Sequence, residues 1–517
     1  MKQLLSVFEG KWQWLVVVVV VGFLSLFYIQ KQYFLTADLG RHIKNGEYIL
    51  ATGKIPATNL YSFSEPDFPA LNHHWASGVI YYLVQSCCGF GGLHLFSIAV
   101  YVAAIVAATM IASQRARPVT IAAVMLVAVP FTVWRNEIRP EEFSYLLLMV
   151  YAGVILGVKR GKLKNWWLWM LPLLQIVWIN LHVFFVLGVG LVGLGWLDEG
   201  IKYRFKMKNV WVWTWVLIVA ITANLINPFG VAGILNPLVV DSKNLANVTE
   251  TQSVFELLKH LDRMDFVEFV VVVVASWYGI YELAKKYRLK KYRFELGIVL
   301  TFGVLGMWMV RNMAMFGLML IAVGPEMVEE VGRFKVKGLR LKEQMVAAII
   351  ILLIIGLGLA KHDWLYSPFK LGEEFGVGLR TDETKPAEFI KRVDIKGPWY
   401  NNFDIGSYLI YYFYPDEKVF IDNRPEAYSV NFFKGDYIVM HQDENKWGEM
   451  VNRYQFNAII ADYQDNTSWL RPFLQRRYRD PMWALVYQDE NVVILVRRDE
   501  QNQDIIDDYE ISDMDKE

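Results

Sequence analysis

The sequence has very little cysteine and little charge. Cys87 and Cys88 are its only two cysteines. Adjacent cysteines do not readily bridge to each other, so no disulfide framework is expected and the redox compartment stays open. Charged residues make up 20 % of the 517-residue chain, and 52 Lys+Arg balance 52 Asp+Glu. A net charge of zero argues neither for nor against nucleic acid. The basic clusters argue against it, because each is short and lies between apolar runs. A small-residue cleavage pattern is also missing. The first apolar run is followed by 28-YIQKQYF-34, so it is read as a retained helix and not as a cleaved signal. No internal repeat of the kind that builds many transporters is visible.

Apolar residues are what the chain has in excess, at 55 %, and they are clustered. Runs such as 15-LVVVVVVGFLSLF-27 and 267-VEFVVVVVASWYGIYEL-283 approach the length needed to cross roughly 30 Å of hydrocarbon. Tryptophans such as Trp166, Trp167 and Trp211 stand near the ends of such runs, where an amphipathic ring finds the membrane interface. About eleven transmembrane helices are expected, near 13–30, 90–113, 119–134, 141–158, 165–181, 183–198, 210–226, 266–284, 294–310, 312–328 and 343–360. Segment 76–89 either belongs to the second span or forms an interfacial helix before it. Residues 165–198 read as two spans or as one long tilted helix. With a cytoplasmic N-terminus and two spans there, Lys2, Lys11, Arg115, Arg117 and the basic stretches 159–164, 201–209, 285–293 and 333–342 all fall on one side. That is the positive-inside pattern.

The other side receives loop 31–75, the turn 135–140, the junction 181–182, loop 227–265, the turn 311–312 and everything after residue 360. Domain 1–360 is therefore a membrane domain. After it, 361–499 reads as a small soluble α/β domain. It has an amphipathic helix at 384–392 with Thr384 as its cap and further helices at 446–454 and 467–478. Strands are expected at 407–413, 418–422, 457–463, 483–489 and 491–498. The acidic end 500–517 is expected to be disordered.

Candidate functional residues gather on this second side. Asp38 and His42, four apart, share a helix face, and 72-NHHW-75 adds His73 and His74; these are three of the eight histidines of the chain. The plain alternative is that Asp38 caps a helix and the histidines are interfacial hydrogen-bonders. Carboxylate and imidazole also suit a metal ion, with Asp38 as the first ligand. In 134-WRNEIRPEEF-143, Arg139 has the fork geometry for a phosphate, and Glu137 is a candidate acid or base. The plain alternative there is interfacial ion pairing. Asn180, His182 and Arg311 add to this polar rim.

The motifs 38-DLGRHIKNGEYIL-50, 72-NHHW-75, 138-IRPEEF-143, 178-WINLH-182, 227-NPFG-230, 311-RN-312, 401-NNFDIGSYL-409 and 421-IDNR-424, in this order and topological placement, resemble the GT-C superfamily. These are multi-pass α-helical membrane glycosyltransferases that use polyprenyl-phosphate sugars, among them protein mannosyltransferase-like proteins and oligosaccharyltransferases. The resemblance implies a GT-C bundle in a prokaryotic cytoplasmic membrane, with the N-terminus cytoplasmic and the C-terminal domain extracytoplasmic. It implies sugar transfer, with inversion, from a polyprenyl-phosphate donor to an extracytoplasmic glycan, lipid or protein acceptor. Asp38 matches the family's catalytic acidic residue, with Glu137 and His73 as further catalytic candidates. His42, His74, Arg139, His182, Arg311, Asp404, Asp422 and Arg424 are the candidate substrate-binding residues. Asp404 and Gly406 match the Trp-Trp-Asp-Tyr-Gly region of oligosaccharyltransferases, but Asn402 and Phe403 replace its paired tryptophans. A divalent cation, Mg or Mn, would be the only cofactor; membrane lipids are partners and nucleic acid is not. The competing readings are a transporter or flippase for a lipid-linked saccharide and a non-catalytic envelope assembly factor.

Overall fold

The computed structural model describes residues 2–133, 135–240, 249–260, 264–287, 291–335, 374–465 and 467–511. The expected eleventh span, 343–360, lies outside them. The other ten expected spans are helical. They correspond to α1 (Lys2–Leu26), α3 (Trp75–Ala112), α4 (Pro118–Thr132), α5 (Glu141–Lys159), α6 (Met170–Leu181), α7 (Phe185–Lys202), α8 (Met207–Ala223), α11 (Met264–Tyr287), α12 (Arg293–Trp308) and α13 (Met313–Lys335). The shorter α2 (Leu39–Thr52), α9 (Val231–Val240) and α10 (Val254–His260) lie between them. Among the described residues, three helices are long and apolar enough to cross a membrane: Trp75–Ala112, Glu141–Lys159 and Phe266–Lys285.

The chain divides into two compact units, 1–31, 94–234 and 246–377 forming the first and 32–93, 235–245 and 378–517 the second. Composition places a boundary at 360; the contacts instead group the first loop with the tail.

The first unit is a helix bundle. It leaves large apolar side chains uncovered, with Leu173 66 %, Val271 60 % and Val274 53 % exposed, which suits lipid and not water. One end of the bundle carries the basic loops, knitted by carboxylates. Arg115 and Arg160 meet Glu326, Arg117 meets Glu329, Lys159 and Arg293 share Asp198, and Lys291 meets Glu330. Loops separated by two helices thus share an end, as the charge pattern requires. Residues 165–198 are two helices, because His182 takes an extended conformation (φ −161°, ψ 149°) between α6 and α7. Side chains satisfy the backbone opened by this break: Gln175 Nε2 donates to Phe185 O at 2.8 Å, which an interior without water demands. Segment 76–89 is helical and continuous with the second expected span, with a break at Gly89 (φ 68°). Cys87 and Cys88 are joined as a vicinal disulfide, contrary to the expectation of two separate thiols.

The second unit is built on a four-stranded sheet of order β1-β2-β4-β3, from β1 (Trp399–Asn401), β2 (Ala458–Asp462), β3 (Trp483–Gln488) and β4 (Val492–Arg497). β1 and β2 are parallel, and the other pairs antiparallel. β2 is buried along its whole length, so it reads as an unbroken apolar run. Three of the five expected strands exist. Residues 407–413 instead form helix α15 (Gly406–Phe413): four aromatic and two aliphatic side chains find partners around the whole helix, which overrides their strand preference. Residues 418–422 are extended but unpaired apart from one bridge, Ser62 to Val419. Helix α14 (Lys385–Val393) is present, but Thr384 makes no capping hydrogen bond from its side chain. The acidic end is folded as far as residue 511. Asn502 donates to Asn457 and to Arg497 O, Ile506 is buried, and Ile511 N donates to Leu485 O. Its alternating apolar residues supply the contacts that net charge alone conceals.

Candidate active site

In the second unit, close helix packing positions Asp38. A Cβ at Gly40 would lie 2.5 Å from Ser407 O of α15, and one at Gly46 would lie 2.1 Å from Gly78 O of α3. Only glycine permits both approaches. The backbone N–H of Arg41 donates to Ser407 Oγ at 2.9 Å. Helix α2 is thereby clamped between α15 and the start of α3. Asp38 stands at its head, does not cap it with its side chain, and lies 3.5 Å from Arg41. The capping alternative is therefore not what the carboxylate does. One turn on, buried His42 packs edge-to-face on His74 at 5.4 Å and on Tyr81 at 6.4 Å. His73 is partly buried, and loss of solvent pushes its imidazole down to about 4, so it is neutral at pH 7.

The carboxyl ends of the parallel pair β1 and β2 supply the opposing groups. Ligands in α/β sheets commonly bind there, because the strands deliver loop side chains to one edge. Beyond β1 the chain runs through Asn402 and Asp404 into α15; β2 ends on Asp462, followed by Asp465. Asn402 ties the two loops, donating to Asp465 Oδ2 at 3.1 Å and accepting from Asp462 N at 2.9 Å. Asn402 is therefore a brace where the oligosaccharyltransferase motif has tryptophan. Burial, followed by the charges of Asp465, Asp462 and Asp38, pushes Asp404 up to about 7. Burial and Asp465 push Asp462 up to about 6. Glu383 accepts from Phe34 N and Leu35 N at 3.2 and 3.1 Å, and burial still raises it to about 7. Buried carboxylates that share a field titrate late, a common signature of functional sites; Arg380 offsets only part of this at Glu383. Asp462, Asp465 and Glu383 were missed as candidates. The pattern 458-AIIADYQD-465, an apolar strand ending in two acids, was the available signal.

Asp422 and Arg424 do not lie at strand ends, contrary to expectation. They form a buried two-pronged pair, Nε to Oδ1 at 2.7 Å and Nη2 to Oδ2 at 2.6 Å, and Arg424 also donates to Asn59 at 2.7 Å. Tyr428 completes it by donating to Asp422 at 3.2 Å. With these partners, the pair pins segment 421–428 to the first loop. Among the described residues, no three of His, Cys, Asp and Glu come together as a metal-ligand set. Asp38 and Asp404 supply two carboxylates, and no step below is routed through a metal.

In the first unit, the end away from the basic loops holds a second charged cluster. Arg135 pairs with Glu141 at 2.8 Å and with Glu250; Arg139 pairs with Glu137 at 2.7 Å and with Glu250 at 3.1 Å. Glu137 and Arg139 thus make the ion pair that was the plainer expectation for this turn. His182 shares a 2.9 Å hydrogen bond with Ser144 Oγ, which also accepts from Trp178 Nε1. Arg311 stacks over Phe184, 5.6 Å from its centroid. Glu250 was not foreseen, since nothing in 249-TET-251 distinguishes it.

No protein-family model matches the sequence, and no curated protein matches it. Solved structures do. The oligosaccharyltransferase AglB of Archaeoglobus fulgidus, in complex with an inhibitory peptide and a dolichol-phosphate, superposes with a TM-score of 0.55 at 10 % identity, covering 96 % of this chain and 75 % of that one. The same organism's enzyme in complex with Zn and sulfate gives 0.56 at 10 % identity, covering 93 % and 73 %. ArnT from Cupriavidus metallidurans bound to undecaprenyl phosphate gives 0.50 at 12 % identity, covering 94 % and 98 %. The fold shared with both proteins over nearly the whole chain is the GT-C fold, as the sequence motifs led us to expect.

Proposed function

We propose that this chain is a membrane glycosyltransferase that moves a sugar from a polyprenyl-phosphate donor to an extracytoplasmic acceptor with inversion. The observation that carries the reading is Asp38, set at the head of α2 by two glycine contacts and sharing a field with Asp404, within a GT-C fold. The AglB and ArnT structures that share this fold hold dolichol-phosphate and undecaprenyl phosphate, which supports a lipid-linked donor.

Both units carry candidate groups for the reaction. In the first, a cavity of about 610 Å³ is lined by apolar residues including Val124, Val127, Val272, Leu320 and Met327. It suits a polyprenyl chain. The lining residues of α4 and α13 lie towards the end that carries the basic loops, and the opposite ends of these helices lead to the turns that carry Arg135, Arg139 and Arg311. These arginines take the donor phosphate and stabilise its charge as it leaves. In the second unit Asp38 accepts the proton of the acceptor hydroxyl. The acceptor oxygen bonds to the anomeric carbon as the bond from that carbon to the phosphate oxygen breaks, and polyprenyl phosphate departs. Asp404 and Asp462 orient the acceptor, while neutral His73 and the His42–His74 pair shape the pocket. The one-sided basic loops support an orientation with the N-terminus inside and the tail outside. The test is turnover of a synthetic polyprenyl-phosphate sugar by purified protein in lipid, with candidate acceptors supplied. Failure of every lipid-linked donor to turn over or bind overturns the reading.

A further inference from the structure

The arginine cluster of the first unit contains one carboxylate that differs from the others in origin. Glu137 and Glu141 belong to the same short segment as Arg135 and Arg139 and travel with them. Glu250 comes from a separate 3-10 turn, Thr249–Thr251, more than a hundred residues away in sequence. That turn is tied to the Arg311 turn by Val310 N donating to Gln252 O at 3.1 Å. Both oxygens of Glu250 are engaged. Arg139 Nη1 reaches them at 3.1 and 3.2 Å, and Arg135 Nη1 also contacts Oε1. Burial alone would raise the Glu250 carboxyl; Arg135, then Arg139 and Arg311, outweigh it and hold it far below the ordinary range. Three cations thus converge on one carboxylate.

Arg135, Arg139 and Arg311 share this end with Glu137, Glu141 and Glu250, and buried Glu142 beside them is hydrogen-bonded to Ser97. Removing Glu250 makes the cluster more positive by one charge and leaves two forked guanidinium groups without their shared anion. A sugar phosphodiester carries one negative charge and two non-bridging oxygens, the same charge and the same two-oxygen fork as a carboxylate. We propose that Glu250 is an exchangeable stand-in for the donor phosphate, occupying the Arg135–Arg139–Arg311 anion site until a lipid phosphodiester displaces it. This rests on the reading of the donor as a polyprenyl-phosphate sugar. It adds that the site is self-occupied when empty of donor, which keeps buried Arg135 and part-buried Arg139 neutralised and excludes smaller or more weakly held anions.

The experiment uses the full chain in lipid nanodiscs, with farnesyl phosphate, inorganic phosphate and neutral farnesol as probes. Glu250→Gln keeps the shape and removes the competing charge. It should bind farnesyl phosphate about 10- to 100-fold more tightly than wild type, the range set by one or two charge-assisted hydrogen bonds no longer lost to competition. Farnesol binding should not change, and adding Arg139→Ala should abolish the gain. Equal or weaker farnesyl phosphate binding by a folded Glu250→Gln protein overturns the inference while leaving the donor reading intact. A gain for inorganic phosphate with no preference for farnesyl phosphate upholds the anion site and defeats the lipid-donor reading. If Glu250→Gln cannot be recovered folded, Glu250→Asp retains the charge but withdraws it by one methylene. A several-fold gain is then expected, and no gain overturns the proposal.

Discussion

Two charged clusters, one in each unit, handle charge in opposite ways. In the first unit every carboxylate of the 135–141 turn, and Glu250, has an arginine within contact. In the second, Asp404, Asp462 and Glu383 are pushed up to about 7, 6 and 7 by burial and by one another. The first cluster meets its acids with arginines. The second costs folding free energy whenever its acids ionise. Natural chains keep such a cost where function requires it. The same unit shows that compensation was available, since Asp422, equally buried, is met by Arg424 with two short bonds.

The sharpest way to break this comparison is Asp38→Asn. If the acids of the second unit serve chemistry, turnover with acceptor present should fall by about 10²- to 10⁴-fold, the usual loss for a general base, with donor binding retained. Turnover at the wild-type rate would move the transporter or assembly-factor reading ahead. Arg424→Ala tests the compensated carboxylate of the same unit. It strands buried Asp422 and should lower unfolding free energy by about 3–5 kcal/mol, read from denaturant unfolding of the detergent-solubilised chain. A loss of less than about 1 kcal/mol would show that the pair stabilises no more than a surface bridge. In the first cluster, Arg139→Ala should weaken donor affinity roughly tenfold, the loss of one charge-assisted contact, and move turnover at saturating donor less. An effect confined to turnover would take Arg139 out of the phosphate site.

The smallest effect expected is a gain in stability. Asp404 binds its proton more tightly folded than unfolded, so the folded chain holds more protons between about pH 4 and pH 7. Stability therefore falls as pH rises through that window. Asp404→Asn should raise Tm by a few degrees at pH 8, by less near pH 5, and leave it unchanged below about pH 4. A pH-independent shift would point to packing and not to charge.

Much of this was legible in the chain. The helices at ten of the expected spans and the shared end of the basic loops follow from apolar run length and charge placement. Strands β2, β3 and β4 were marked by their β-branched apolar runs. Asp38 and Asp404 could be singled out by position and motif. Other features were out of reach. The stretch 407-SYLIYYF-413 has strand composition, and only the packing of Ser407 and Tyr411 against Gly40 made it a helix. Asp462 and Asp465 became site candidates when parallel pairing set the end of β2 beside the end of β1.

The sequence by itself determined that apolar segments must leave water, that basic loops must share a side, and that one acidic residue follows the first span. These depend on composition and spacing along the chain, which any fold of it must respect. Only the tertiary structure decided which charges are compensated. Glu250 reaches Arg135 and Arg139 across more than a hundred residues, Arg424 answers Asp422 through a local turn, and Asp404 feels the charges of Asp465, Asp462 and Asp38. The energy of a charge depends on the distance to its neighbours and on the water removed around it, and sequence order sets neither.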